Sequence, residues 1–213
     1  MSRILIAVAT YENIYPDTFK ALWELDKGGH EVDFDFIRGY GVADARNSIV
    51  NRMLKDGYDY VLMVDNDETP PRDALINLLE TEQSYSLSHC MAVGYCPVRS
   101  YTGVSEQKRT TVFKFGGKNY THENAYLGEE LKALYDRGVT KVQVRGSGLG
   151  CALIHRSVFE RMKYPYFKWI EYQNKTQLSE DLYFCEQFRT INTPIFVDTR
   201  VSCGHLIRYI DHI

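Results

Sequence analysis

Residues 58–71, YDYVLMVDNDETPP, are the stretch that decides the fold of this 213-residue chain. The apolar run at 60–64 ends in four polar residues, Asp65 to Glu68, and two prolines follow. A short run that is apolar on both faces is typical of a central strand in a covered sheet. Neighbouring carboxylates repel each other unless a partner offsets their charge. The stretch therefore predicts either a ligand site at a strand end or a solvated acidic turn that leads into a helix.

The sequence on both sides of this stretch alternates between strand-like and helix-like patterns. Strands are predicted at 3–10, 31–37 and 89–98, and helices at 41–57, with Gly57 as the stop, and from Pro70 onward. A further helix is predicted between the first two strands, with Asp17 as its cap, Phe19, Leu22 and Trp23 facing inward, and Gly28-Gly29 at its end. Such alternation predicts an open, mostly parallel α/β sheet, in which ligands bind at the carboxyl ends of the strands.

The second half of the chain is less regular. A loop and hairpin are predicted at 100–117, a helix at 124–138, and a strand, glycine turn, strand and helix at 140–162. A helix capped by Ser179 and a final strand at 195–207 complete the chain. No internal repeat or linker divides the sequence, so we predict a single domain. The chain ends eight residues after His205, which leaves open that it is part of a longer protein.

Composition excludes several classes of function. The chain is 44% hydrophobic and 25% charged, with a formal net charge of −3, which gives no reason to expect nucleic acid as a partner. No apolar run approaches the length of a membrane span, and none is expected. The five cysteines form no CxxC pair, which is typical of reduced thiols in a cytoplasmic protein. We therefore predict a cytoplasmic location.

The spacing of the carboxylates in the opening stretch favours a metal site. Side chains at i and i+2 of an extended segment point the same way, so Asp65 and Asp67 can reach one cation. Short D-x-D matches are common by chance, and the solvated acidic turn remains the alternative. The segment fails the calcium-loop pattern of EF-hands, because the required glycine falls on Pro70.

Four segments, taken in order, resemble the nucleotide-sugar-dependent glycosyltransferases of the GT-A fold. The strand that ends in D-x-D follows a helix bearing ARN, at 45–47. VRGSGLGCALIHRSVFERM, at 144–162, is similar to the family's glycine-bearing segment beside the donor sugar. SEDLYFCEQ, at 179–187, resembles its acidic helix start below the acceptor, and CGH, at 203–205, its late histidine. The chain looks most like the small cytosolic transferases of large algal (chlorella) viruses, phages and bacteria, so a viral chain would act in the host cytoplasm.

The resemblance implies a fold class and a reaction. The fold would be α/β, an open, twisted, mostly parallel GT-A-type sheet flanked by helices. A Rossmann-like nucleotide-binding half would cover about 1–97, and an elaborated sugar and acceptor half about 98–213. The reaction would be a metal-dependent transfer of a sugar from a nucleotide sugar, UDP-glucose or a related UDP-hexose, to a hydroxyl of a glycan or another acceptor.

The resemblance also assigns roles to individual residues. An imidazole ligand favours Mn²⁺ over Mg²⁺. Asp181 would deprotonate the acceptor in an inverting enzyme or position it in a retaining one, or else only place favourable charge at a helix start. Arg46 is either a contact to the pyrophosphate or base, or a surface arginine. The assigned residues are Asp65, Asp67 and His205 for the metal; Thr10, Tyr11, Arg46, Asp65 and Asn66 for the nucleotide; Ser147 and Gly148 for the sugar or acceptor; and Asp181 and Glu180 for catalysis.

Two other functions stay open at this point. A nucleotidyltransferase that makes nucleotide sugars would also use an acidic metal site, but it needs a glycine-rich basic loop after the first strand, and residues 9–16 contain neither glycine nor lysine. A non-catalytic module that binds nucleotide sugars is the second alternative. The glycines at 146–150 do not fit a dinucleotide-binding motif, because Cys151 stands where that motif has glycine.

Overall fold

The computed structural model describes residues 1–11, 13–38, 41–85, 89–98, 109–117, 119–173 and 175–206. Within these residues the chain forms a large mixed sheet with helices on both faces and two small two-stranded sheets. Residues 100–108 of the loop and hairpin predicted at 100–117, and the last residue of the predicted final strand, Ile207, lie outside the described residues.

The elements follow one another in this order along the chain. The strands are β1 (Arg3–Thr10), β2 (Glu31–Arg38), β3 (Tyr60–Asp65), β4 (Glu68–Thr69), β5 (Met91–Tyr95), β6 (Pro97–Val98), β7 (Arg109–Lys114), β8 (Ala125–Leu127), β9 (Lys141–Ser147), β10 (Cys151–His155), β11 (Ile170–Tyr172), β12 (Lys175–Leu178), β13 (Ile195–Ser202) and β14 (Gly204–His205). The helices are α1 (Pro16–Trp23), α2 (Val42–Asp56), α3 (Ala74–Gln83), α4 (Gly128–Asp136), α5 (Arg156–Glu160) and α6 (Glu180–Thr190), with a short 3₁₀ helix at His122–Asn124.

The large sheet has the strand order β2-β1-β3-β10-β5-β13-β9-β7-β6, and β8 pairs with β7. Strands β1, β2, β3, β5, β7 and β13 run one way, and β6, β8, β9 and β10 run the other. Six of these ten described strands therefore share one direction, which confirms the predicted mostly parallel α/β sheet. The antiparallel strands belong to the second half of the chain, apart from β6.

The apolar run of β1 is explained by two core layers, one on each face of the sheet. Leu5 lies in one layer with Met53 of α2. Ile6 lies in the other with Leu22 of α1 and Leu75 of α3. All five side chains are fully buried, so a strand with no polar face is what this position in the sheet requires.

Helix α1 corrects two of the predictions. Of the three residues predicted to face inward, only Leu22 is buried, whereas Phe19 is 47% and Trp23 65% exposed. The two aromatic rings stack on each other at the surface, with centroids 6.3 Å apart, because residues i and i+4 lie on one helix face. Asp17 is not the cap: Tyr15 holds that position and Pro16 begins the helix, which ends at Trp23 before the glycine pair.

Other predicted boundaries agree with the structure or shift slightly. Gly57 ends α2 in a left-handed conformation with φ of 76°, as predicted. Helix α3 begins at Ala74 and not at Pro70. The predicted final strand is interrupted at Cys203, so that Gly204 and His205 form a separate short strand paired with β4. That interruption lets the chain turn toward the end of β3.

Two further features concern the helices and the cysteines. No helix among the described residues is long and apolar enough to cross a bilayer, and the longest, α2, has 15 residues. All five cysteines are buried free thiols, as predicted.

A histidine pair occupies the end of the sheet opposite Asp65. The rings of His155 and His89 stack with centroids 3.5 Å apart, and His89 Nδ1 lies 2.6 Å from Oε1 of the buried Glu82. The Tyr60 hydroxyl donates to Glu82 Oε2 at 3.0 Å, and the Tyr60 ring meets His155 edge-on. Burial, and then His89, lower the pKa of His155 to about 4. His155 therefore folds as a neutral packed side chain away from the strand end that bears Asp65.

We expect the free energy of unfolding to fall as the pH is lowered from about 6.5 to about 4. The His155 pKa is depressed in the folded state, so the unfolded chain binds a proton in this range that the folded chain does not. One such proton contributes a slope of at most about 1.4 kcal/mol per pH unit. Urea unfolding across this range should show a shallower slope for His155→Phe, which keeps a ring, than for the exposed control His122→Gln. Equal slopes in the two variants would contradict this origin.

Candidate functional site

A cleft of about 410 Å³ opens at the carboxyl ends of β1 and β3. The starts of α2 and α6 form its other walls. In open α/β sheets ligands bind in this position, because the loops after the strands leave a crevice there. The lining residues are Ala9, Thr10, Tyr11, Gly41, Val42, Arg46, Asp65, Asn66, Asp67, Glu180 and Asp181.

A buried arginine joins the two halves of this cleft. Arg46 lies in the second turn of α2, and only 4% of it is exposed. Its Nη2 donates to Asp65 Oδ1 at 2.8 Å, and its Nη1 donates to Oε1 of Glu180, the first residue of α6. One guanidinium therefore holds the end of β3 and the start of α6 together.

The charges in this cluster shift one another's pKa. Burial lowers the pKa of Arg46, but Asp65 and Glu180 more than offset that effect, so its pKa is raised overall. Burial raises the pKa of Glu180, although Arg46 opposes the shift. The guanidinium thus stays charged and is nearly sealed from solvent. The nucleotide contact assigned to Arg46 and the catalytic role assigned to Glu180 stay predictions.

Asp67 and His205 meet although 138 positions separate them. The short strand β14 pairs with β4, which places His205 opposite Glu68, and the Leu206 amide donates to the Asp67 carbonyl at 2.8 Å. As a result, His205 Nε2 lies 3.3 Å from Asp67 Oδ2. His205 Nδ1 is buried and makes no hydrogen bond within the described residues.

The predicted metal ligands are only partly gathered. In the part of the chain that the structure describes, no group of three or more histidine, cysteine, aspartate or glutamate side chains is placed to hold a metal ion. Asp67 and His205 form an adjacent carboxylate and imidazole pair, whereas Asp65 is held by Arg46. Two protein ligands fit a cation such as Mg²⁺ or Mn²⁺, which commonly completes its sphere with water and substrate phosphates.

The residues predicted to contact the nucleotide surround the end of β1. Tyr11 is 71% exposed at the rim of the cleft, so its ring face is open to a planar ligand. Thr10 is buried, and its hydroxyl donates to the Asn13 carbonyl at 2.6 Å and accepts from Asn66 Nδ2 at 3.2 Å. Asn66 therefore ties the loop after β1 to the loop after β3. The sequence offered no signal for Asn13, because it acts through its backbone carbonyl.

Asp181 faces the cleft on its own helix start. Its Oδ1 accepts from the Ser179 hydroxyl and from the Leu182 amide, at 2.7 Å for the latter. Ser179 is the N-cap residue, as predicted, but its hydroxyl serves Asp181 and caps no backbone amide. The other carboxylate oxygen, Oδ2, lies 3.6 Å from the place where a Cβ would stand on Gly148. The space that Gly148 leaves is filled by Thr111, whose Oγ1 lies 2.6 Å from that same place.

Ser147 is 1% exposed, and neither it nor Gly148 lines the cleft. Its amide donates to Cys185 Sγ at 3.4 Å, and its hydroxyl is buried without a partner among the described atoms. The sugar contact predicted for Ser147 therefore stays a prediction, and the structure shows the residue packed against α6.

Glu68 has a structural position that the sequence did not reveal. Its carboxyl lies where a side chain on Gly150 would stand, so a larger residue at position 150 would displace that carboxyl. Burial and then Asp65 raise the pKa of Glu68 well above its usual range. The third acidic residue of the cluster at 65–68 is therefore packed against Gly150 and does not line the cleft.

The sequence matches no family model and no curated protein, but solved structures do match. The crystal structure of the protein A197 from STIV superposes with a TM-score of 0.64 and 19% identity, over 97% of this chain and 86% of that one. The crystal structure of GalNAc-T7 with UDP, GalNAc and Mn²⁺ superposes with a TM-score of 0.61 and 10% identity. The fold is similar to that of GT-A glycosyltransferases. This chain is covered to 97% in the second match and spans 44% of the GalNAc-T7 chain. At these identities the likeness concerns the fold, which confirms the predicted fold class.

We expect Gly148→Ala to destabilise the protein by about 1 to 3 kcal/mol, the usual range for overpacking. A methyl group there would stand 2.6 Å from Thr111 Oγ1 and 3.0 Å from Thr111 Cβ, and the branched threonine cannot turn away easily. Urea unfolding measures the loss. The matched control is Thr111→Ala, which alone should be nearly neutral and, because it removes Oγ1 but keeps Cβ, should restore part of the stability when combined with Gly148→Ala. A double variant as unstable as Gly148→Ala would rule out this contact as the cause.

Proposed function

We propose that this protein is a glycosyltransferase that moves a sugar from a UDP-sugar, UDP-glucose or a related UDP-hexose, to a hydroxyl of a glycan or another acceptor. The observation that carries the proposal is the convergence on one cleft of two carboxylates from each half of the chain: Asp65 and Asp67 from the first, Glu180 and Asp181 from the second. The likeness of the fold to GalNAc-T7, whose structure holds UDP, GalNAc and Mn²⁺, supports it.

We further propose that the transfer depends on a divalent cation, Mn²⁺ or Mg²⁺. Among the described residues, the cleft lining carries four carboxylates and one guanidinium, and that guanidinium is buried against two of the carboxylates. A nucleoside diphosphate is itself an anion, so this cleft would repel it without an added positive charge. A bound cation supplies that charge and stabilises the leaving phosphates. We assign Asp67 and His205 as its protein ligands.

The other lining residues have roles that fit this donor. Tyr11 offers an open ring face to the uracil, and Thr10 and Asn66 border the same end of the cleft. We assign the ribose to Asp65, whose carboxylate Arg46 holds. A cytoplasmic location, the host cytoplasm if the chain is viral, agrees with five buried free thiols.

Asp181 is the residue we assign to the acceptor. In the transfer, the bond between the sugar C1 and the β-phosphate oxygen breaks and its electron pair leaves with the diphosphate. A bond forms between C1 and the acceptor oxygen, and the hydroxyl proton goes to Asp181 Oδ2, the oxygen without a described hydrogen bond. In a retaining enzyme the same carboxylate would position the acceptor.

Binding of UDP should depend on the cation. By isothermal titration calorimetry with Mn²⁺, we expect the wild-type protein to bind UDP at least about tenfold more tightly than in EDTA. His205→Ala should lose a similar factor in Mn²⁺, because loss of groups that hold a metal typically weakens its binding by about 10- to 100-fold. The exposed His122→Ala is the control and should bind as the wild type does. Equal UDP affinity in Mn²⁺ and in EDTA would sink the metal assignment.

Asp181→Asn should lower turnover by about 10²- to 10⁴-fold, because the amide cannot accept the proton. The affinity for UDP with Mn²⁺ should change far less. Hydrolysis of a panel of UDP-hexoses, with water as acceptor, provides the rate. Glu129→Gln is the matched control, since Glu129 is an acidic residue in the first turn of a helix outside the cleft. If both variants keep the wild-type rate, Asp181 does not act on the acceptor and only stabilises the start of its helix. If the wild-type protein binds UDP but hydrolyses none of the UDP-hexoses, it is a non-catalytic binding module.

A further inference from the structure

The ion pairs of Arg46 connect the two ends of the cleft through a single side chain. Asp65 belongs to the strand end beside Asp67, and Glu180 precedes Asp181 on α6. Positions 65 and 180 lie far apart in the sequence, and both of their carboxylates bond the same guanidinium. A change in the charge or position of one carboxylate must therefore change the strength of the ion pair between Arg46 and the other.

The three charged groups differ in how far they are exposed to the cleft. Asp65 has 36% of its side chain exposed to the cleft, whereas Arg46 and Glu180 are almost fully buried. A ligand in the cleft can thus reach the carboxylate of Asp65 more readily than that of Glu180, which pairs with Arg46. The guanidinium suits such a link because its planar fork holds two carboxylates at once, which the single ammonium of lysine does not do.

We propose that Arg46 is a positioning residue that couples occupation of the donor end of the cleft to the placement of the acceptor carboxylate. This inference rests on the proposed function, and it replaces the direct nucleotide contact assigned to Arg46 from the sequence. With a cation and diphosphate bound beside it, the carboxylate of Asp65 would pair less closely with Arg46. Arg46 would then hold Glu180 more tightly and so fix the adjacent Asp181 for the acceptor.

The first part of the test needs no ligand. Glu180→Gln should lower the urea midpoint of the wild-type protein, because it leaves the buried Arg46 with one carboxylate. In the Arg46→Met background the same change should raise the midpoint, because it removes a buried carboxylate that has lost its cation. This reversal of sign is expected only if the two groups compensate each other.

The second part measures the affinity of UDP with Mn²⁺ by calorimetry. In the wild type, Glu180→Gln should raise the dissociation constant at least about fivefold, the lower end of usual coupling between sites. Asp181→Asn removes an equal charge without touching Arg46, so it should raise the constant less. In the Arg46→Lys background, which keeps the positive charge and guards against misfolding, the two substitutions should have similar, smaller effects.

Arg145→Met is the matched control, because Arg145 pairs with Glu186 of α6 at 2.9 Å but lies outside the cleft lining. In the Arg145→Met background, Glu180→Gln should still raise the dissociation constant of UDP about fivefold.

The possible results separate the two proposals. If the wild type binds UDP with Mn²⁺ but Glu180→Gln has the same effect in the Arg46→Lys background, the coupling is wrong and the proposed function stands. The same conclusion follows if the midpoint falls in both backgrounds. If the wild type fails to bind UDP with Mn²⁺, the proposed function is wrong and the coupling falls with it.

Discussion

The buried ion triad of Arg46, Asp65 and Glu180 is the interaction on which the rest of the site depends. Removing a guanidinium from water costs several kcal/mol, and its partners recover that only while they stay in contact with it. The end of β3, the second turn of α2 and the start of α6 therefore have one arrangement in which the charges balance. Apolar packing brings these elements together, and the triad fixes how they meet.

The general position of the candidate site could be predicted from the sequence, because the predicted residues follow the carboxyl ends of predicted strands. The carboxyl ends of parallel strands lie at the same edge of an α/β sheet, so the acidic residues after β3 had to lie near the residues after β1. The meeting of His205 with Asp67 was expected only from the resemblance to a family. Nothing in the spacing of the two residues indicated it, because the contact depends on the two-residue pairing of β4 with β14.

The sequence could not predict the exposure of two α1 aromatic residues, the partners of Arg46 or the position of Glu68, each for a different physical reason. Hydrophobicity alone assigned Phe19 and Trp23 to the core, but the two rings cover each other on the outer face of a short helix. The partners of Arg46 could not be predicted, because arginine is usually a surface residue and its two carboxylate partners are distant in the sequence. The position of Glu68 depends on the missing side chain of Gly150, and one glycine among several in a turn gives no sign of what fills its space.

Strand β10 has a consequence for the way this chain is made. It lies between β3 and β5 and runs antiparallel to both, although those two strands precede it by at least 56 residues (151 minus 95). While the first hundred residues leave the ribosome, β3 and β5 each present an unpaired apolar edge, which is the kind of surface on which chains aggregate. The sheet closes only after residue 155 has emerged, and such long-range pairing is slow. The proposed donor and acceptor halves therefore share one sheet, and a fragment limited to the first half would lack the strand that joins β3 to β5.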